Sequence, residues 1–320
     1  MELHQLREFS TTQITEFWNR EIGDSFPLRE ELWEQNTFND LNLIEEACVA
    51  FAEGGKLAGF IVAKRLLEHS EAKMQRDVGW IPCLLVGRDA RRQNLGERLL
   101  RHAEEHFTQT GIKEIRLGRD PWHYFPGIPA EDAETADWFE RRGYERESIE
   151  SDLMREVKGQ ASYKLANPPE HFRVLEREDL PELIDFLALH FPGRWHYEAL
   201  RYLETGAGGQ EFVGFYIEGI LKGFCRINDS ASPLIAQNVY WSPLFDGTLG
   251  GIGPLGIDRS VRGRQYGLDL VKAAANELVR RGSDAIIIDW TQLVPFYEKL
   301  GFSVWKQYIT MAKTLNSEKE

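Results

Sequence analysis

Residues 262–268, Arg262-Gly263-Arg264-Gln265-Tyr266-Gly267-Leu268, bring two arginines and two glycines together just ahead of an apolar-periodic run. A helix beginning there would present unpaired backbone N–H groups and a partial positive charge. Glycines before it let the backbone approach a ligand and take positive φ. Arginines at the rim add charge-assisted hydrogen bonds. Together these residues can cradle a phosphate or pyrophosphate. The same composition also suits a plain strand-to-helix connection whose arginines are solvated. It has neither the Gly-Lys-Ser/Thr of a P-loop nor a G-x-G-x-x-G run.

The elements that must hold this turn can be read on either side of it. The run 251–257, Gly-Ile-Gly-Pro-Leu-Gly-Ile, leads in as a strand. After the turn, Leu270, Ala274 and Leu278 recur at i, i+4 and i+8, with Val271 and Ala275 beside them, and Gly282 follows as a stop. Residues 285–290, Ala-Ile-Ile-Ile-Asp-Trp, predict a strand buried on both faces. The segment 294–302 predicts a short helix and turn, and 304–313 a closing strand. Upstream, 211–227 reads as a hairpin around Glu218-Gly219.

The same succession occurs earlier in the chain. Setting 84–100 over 255–271 places Arg91 on Arg262, Gly96 on Gly267 and Leu99 on Leu270, an offset of 171 that also carries Gly111 onto Gly282. "WFERRGY" at 138–144 falls on "FYEKLGF" at 296–302, and 49–60 resembles 213–224. The chain therefore reads as two copies of one domain. The expected bounds are 1–158 and 168–320, with the seam near Gly159, Pro168 and Pro169. Each copy is expected to be α/β, with a mixed, mostly antiparallel central sheet flanked by helices.

The first copy holds 13 more residues than the second between its aligned blocks, within 118–137, where Trp122, His123, Tyr124 and Phe125 precede Pro126-Gly127-Ile128-Pro129. Prolines and glycine exclude regular structure there. A loop this aromatic either packs against the other copy or lines a pocket, in which case Tyr124 and His123 would touch substrate.

A formal net charge of −13 over 320 residues argues against a nucleic-acid binder, which needs a dominant basic face. It is compatible with amine-bearing substrates. Cys48, Cys83 and Cys225 are widely spaced among apolar neighbours and read as buried thiols in a reducing compartment. No metal-ligand spacing appears. The polar N-terminus has no signal-peptide core, and no apolar run is long enough to span a membrane, so the cytoplasm is the expected location. The charged run 318–320 reads as solvated.

Taken in order, the turn, helix, apolar strand and "FYEKLGF" segment resemble the GNAT superfamily of acyl-CoA-dependent N-acetyltransferases, in two tandem domains. The layout is like that of mycothiol synthase, with one working and one degenerate half, and the loop at 122–129 is loosely similar to one in amino-sugar N-acetyltransferases. The family turn is typically Arg/Gln-x-x-Gly-x-Gly/Ala. Both copies keep the leading arginine and last glycine, and replace the middle glycine with Gln265 or Asn94. The resemblance implies direct attack of a primary amine of a small molecule on acetyl-CoA, with no metal. It further implies that Leu255, Gly256 and Ile257 and the turn Arg262–Leu268 hold the cofactor, and that Tyr297 protonates the departing thiolate. The first copy has Phe139 at the Tyr297 position, so the second copy is expected to be catalytic. Asp258 and Asp289, near the ends of the two flanking strands, are candidates for the base or for turn-capping carboxylates. The alternatives are an acyltransferase acting on a protein or peptide amine, and an inactive CoA-binding interaction module.

Overall fold

The computed structural model describes residues 1–315; the charged run 318–320 lies outside them. In chain order the strands are β1 (Glu2–Gln5), β2 (Val49–Glu53), β3 (Lys56–Arg65), β4 (Val78–Val86), β5 (Glu114–Leu117), β6 (Ile128–Pro129), β7 (Glu145–Glu156), β8 (Phe172–Val174), β9 (Phe212–Ile217), β10 (Ile220–Asn228), β11 (Leu249–Ile257), β12 (Ala285–Thr291) and β13 (Ser303–Thr314). The helices are α1 (Thr11–Ile22), α2 (Glu30–Trp33), α3 (Leu95–Gln109), α4 (Ala133–Glu140), α5 (Leu180–His190), α6 (Arg194–Glu204), α7 (Tyr266–Arg280) and α8 (Val294–Glu298). No helix among the described residues is long and apolar enough to cross a membrane.

The chain divides into two compact units, and each is a mixed, mostly antiparallel sheet flanked by helices. In the first, β1, β2, β3 and β4 are antiparallel neighbours, β5 joins β4 in parallel, and Ala312–Thr314 of β13 pair with Glu114–Arg116 of β5. In the second, β8, β9, β10 and β11 are antiparallel neighbours, β12 joins β11 in parallel, and Leu153–Glu156 of β7 pair with Ala285–Ile288 of β12.

The units are not two consecutive blocks. Among the described residues the first contains Gln307–Leu315, and the second contains Ser70–Met74 and everything from Ser151 to Lys306. The sequence expects 304–313 to close the second copy, yet its later residues complete the sheet of the first unit. The expected seam also lies inside the second unit, where Tyr163 and Asn167 bond along α7: Tyr163 N–H donates to Asn276 at 2.7 Å, and Asn167 N–H to Asp269 at 2.8 Å.

The internal repeat is visible in the backbone. Helix α3 buries Leu95, Leu99, Leu100, Ala103 and Phe107 against its sheet, and α7 buries Leu270, Val271, Ala274, Ala275 and Leu278 against its own. Positive φ recurs at the same offset of 171: Arg92 and Gly263, Asn94 and Gln265, Gly111 and Gly282, Arg119 and Trp290. Pairs of this kind arise when two chain segments follow one path, since non-glycine residues seldom take this conformation.

Candidate active site

In each unit the two parallel strands separate part-way along their length. Pairing of β11 with β12 runs from Leu249 and Ala285 to Ile252 and Ile288 and stops there. Pairing of β4 with β5 runs from Val78 and Glu114 to Ile81 and Leu117 and stops at the equivalent place. A proline follows in both strands, Pro254 and Pro82, and proline cannot donate to a ladder. Beyond the separation each strand leads into its turn and helix.

The turn of the second unit is built by its own side chains. Asp258 accepts a hydrogen bond from Ser260 N–H at 2.9 Å and pairs with the Lys222 ammonium at 3.0 Å. The backbone N–H of Ser260 and the lysine pull its carboxyl down to about 2. A carboxylate this acidic and this tied is a turn cap, and a weak acceptor for an amine proton. Arg262 donates to the carbonyl of Ile257 at 3.3 Å, as Arg91 does to Val86 at 3.2 Å, so each leading arginine ties its strand to its turn. Arg262, Gly263, Arg264 and Gln265 are exposed. Gln265, at φ 63°, is the residue from which α7 starts, so Tyr266, Gly267 and Leu268 follow as its first turn, with N–H groups that no earlier helical carbonyl can accept. Gly267 lies against Ile257 and Phe296, as Gly96 lies against Trp138. Tyr266 packs its ring on Phe215 at 4.6 Å. Leu255 and Ile257 pack on the core between sheet and α7, and a side chain at Gly256 would press into the ring of Phe191.

Asp289 stands at the strand separation itself. Its carboxylate lies over Gly253, and Asn238 donates to it at 2.9 Å. Burial raises its pKa, opposed by the Arg226 charge and the Asn238 hydrogen bond. Tyr297 is buried in the same core, with its phenol hydrogen-bonded to Thr291. Burial raises its pKa too, with the neighbouring Cys225 and Asp289 adding to the shift. The structure thus brings Asp289 and Tyr297 into one electrostatic neighbourhood and leaves Asp258 in the turn.

Sequence reasoning missed the polar groups around Asp289. Arg226 is buried on β10; it bonds Glu198 of α6 at 2.6 Å, Gln237 at 3.0 Å and the carbonyl of Gly253 at 2.9 Å. An arginine inside the apolar run "GFCRI" is the one sequence signal that pointed there.

The first unit presents a different balance. A cleft of about 990 Å³ opens between the turn Arg91–Gly96, the unpaired end of β4 and the C-terminal end of α1. Its walls include Glu21, whose carboxylate accepts from Arg88 N–H at 2.9 Å, and Phe139, which occupies the place of Tyr297. His123 and Tyr124 are buried. Tyr124 stacks on Trp33 at 5.9 Å and bonds Thr37 at 2.8 Å, and His123 Nδ1 lies 3.1 Å from the carbonyl of Asp120. The aromatic loop thus packs inside the first unit, and of it Phe125 and Gly127–Pro129 reach the cleft wall.

Comparison with known proteins adds an independent finding. The sequence profile of the Acetyltransferase (GNAT) family matches residues 5–125 and again 180–302. No curated protein sequence matches significantly. Among solved structures, a GCN5-related glucosamine N-acetyltransferase region of a fungal multi-domain GH3 β-N-acetylglucosaminidase superposes with a TM-score of 0.84 at 21% identity, covering 97% of this chain and 38% of that one. A GCN5-related N-acetyltransferase from Sphaerobacter thermophilus gives 0.70 at 14% identity, covering 98% and 95%. A tandem GNAT protein from the clavulanic acid biosynthesis pathway gives 0.69 at 14%, covering 99% and 100%. At these identities the likeness is one of fold.

Proposed function

Because the chain belongs to the GNAT acetyltransferase family, with a matching region in each half, we propose that it moves an acetyl group from acetyl-CoA to the primary amine of a small molecule, amino sugars among the candidates. The reaction is placed in the second unit. Acetyl-CoA supplies the thioester. The exposed N–H groups at the start of α7, with Arg262 and Arg264, suit its diphosphate. Asp289 takes the proton that the amine loses as its nitrogen bonds to the acetyl carbon. Tyr297 gives a proton to the sulfur as the carbon–sulfur bond breaks. The observation that carries this reading is the Asp289 carboxylate, set at the strand separation with its pKa raised by burial and Tyr297 within its field. The three free, buried cysteines suit a reducing compartment, and the cytoplasm is the proposed location.

Release of CoA thiol with a panel of amines tests it. Asp289→Asn and Tyr297→Phe are each expected to lower kcat by about 10²- to 10⁴-fold with the fold intact. Unchanged rates in both would remove the assignment. Turnover of peptides but not small amines would move the acceptor to a protein amine, and CoA binding with no turnover would leave a binding module.

A second reading rests on the cleft. It has the volume of a cofactor pocket and lies beside the corresponding turn of the first unit. Charge reversal separates the two. If acetyl-CoA docks in the second unit, Arg262→Glu with Arg264→Glu weakens CoA binding by about ten-fold or more, and Arg91→Glu with Arg92→Glu does not. The opposite pattern in calorimetry places the cofactor in the cleft.

A further inference from the structure

The carbonyl of Gly253 lies one residue past the last β11–β12 pair. In a continued sheet it would be satisfied by the ladder. Here two side chains take that role: Arg226 donates its Nε–H at 2.9 Å, and Asn238 approaches with Nδ2 at 3.4 Å. The polar network thus satisfies the strand where it leaves its neighbour, which keeps the opening from closing at little cost in unmet hydrogen bonds.

Asn238 does more than serve that carbonyl. It is buried, and the amide is held on all sides. Its Nδ2 donates to Asp289 at 2.9 Å, and its Oδ1 accepts from Asn228 Nδ2 at 3.1 Å. Asn228 in turn accepts from the Tyr202 hydroxyl at 2.7 Å. A side chain at position 251 would overlap the Asn238 amide, so Gly251 leaves the space in which it sits. The direction of each bond fixes the next. The tyrosine hydroxyl orients Asn228, Asn228 orients Asn238, and Asn238 turns a donor toward the carboxylate.

Resting on the reading of Asp289 as the base, we propose that Asn238 is a positioning residue for acetyl transfer. Its amide holds the Asp289 carboxylate at the strand opening through Oδ1 and so fixes the direction in which the carboxylate meets the amine proton. The charged and titratable groups around that carboxylate are Arg226, Glu198, Tyr202 and Tyr297. None of them donates the bond that Asn238 makes.

The test uses the full chain and reads Asp289 by two routes. The first is the titration of its carboxyl carbon by NMR in protein labelled at aspartate, which needs no turnover. The second is the pH profile of kcat/KM. Asn238→Ala removes a donor to the charged form, so the Asp289 pKa is expected to rise. The acidic limb of the profile is expected to move up with it, and kcat to fall about ten-fold or more with KM for acetyl-CoA little changed. Tyr202→Phe removes the far end of the chain with its packing kept, and is expected to produce a smaller shift in the same direction. It keeps the test decisive should Asn238→Ala fail to fold.

Suppose Asp289→Asn is inactive but both variants leave the Asp289 titration and the limb in place. Then Asn238 does not position the base, and the assignment of Asp289 stands. Suppose instead that Asp289→Asn retains full activity. Then the reading of the site falls, and with it any positioning role in the reaction.

Discussion

Lys64 lies in the apolar strand β3 with no exposure, and its ammonium is 2.8 Å from Asp40 and 2.7 Å from Asp120. Burial works to lower its pKa, and the two carboxylates overcome this and raise it. Removing the cation alone would leave two buried acids facing each other. Lys64→Met is therefore expected to cost about 3–5 kcal/mol in chemical denaturation. The sign of the pH effect follows from the raised pKa. The stabilisation is complete below the ordinary lysine value of 10.5 and is lost as pH climbs through the higher folded value. A denaturation series from pH 8 upward should show the wild type losing stability above the ordinary value, and Lys64→Met losing less. The position stands out in sequence only as a charge within "FIVAKR". Its partner Asp120 is 56 residues away on a loop without periodicity, so no local pattern could announce the pair. The same holds for Asn238 and Asp289. The candidate residues near the turn were legible because they are adjacent in sequence, and the groups that orient them were not.

At the scale of the element, the strand–turn–helix unit was the most legible part of the molecule. The apolar spacing of Leu270, Ala274 and Leu278 with Gly282 behind them marks a helix that runs from Tyr266 to Arg280. Conformations inside the turn were less legible. Gly263 takes φ 84° with nothing within 4 Å of where a Cβ would be, while the first unit sets Arg92 at φ 61° in the same place. The glycine is thus favoured by backbone conformation and not by close packing, and an arginine takes the same conformation in the first unit. Gly263→Ala is expected to destabilise the second unit by about 1 kcal/mol, since a left-handed residue pays a steric penalty even in open space. Thermal unfolding and hydrogen exchange of the α7 amides measure it. A loss well above that would mean the turn has contacts beyond its backbone. Asp258 belongs to this scale too, because its carboxylate closes the turn through Ser260 N–H and Lys222.

The two-copy architecture was legible from the offset of 171, but the membership of the long strands was not. Residue order suggests that β7 closes the first copy and β13 the second. In the structure Ala312–Thr314 bond to β5 in the first unit, and Leu153–Glu156 bond to β12 in the second. Burial along both β7 and β13 is sparse at the start and heavier further along, which is compatible with either neighbour, so pattern alone could not decide. The observed pairing has a consequence for fragments. Residues 1–158 lack Gln307–Leu315, so the β5 edge at Glu114–Arg116 loses its partner. Tyr308, buried against Phe125, is missing as well. An unpaired edge beside an exposed apolar face invites association. The 1–158 fragment is therefore expected to unfold at lower denaturant than the same unit in the whole chain and to aggregate at modest concentration. Fusing 303–315 behind it through a flexible linker should recover much of the difference, because β5 regains at Glu114–Arg116 the hydrogen bonds that it has in the intact protein. The alternative is that β7 moves onto β5 in the fragment and closes the sheet from within. A 1–158 fragment as stable as the intact unit, and unimproved by the fused strand, would establish that substitution and show that the exchanged strand is not required for folding of the first unit.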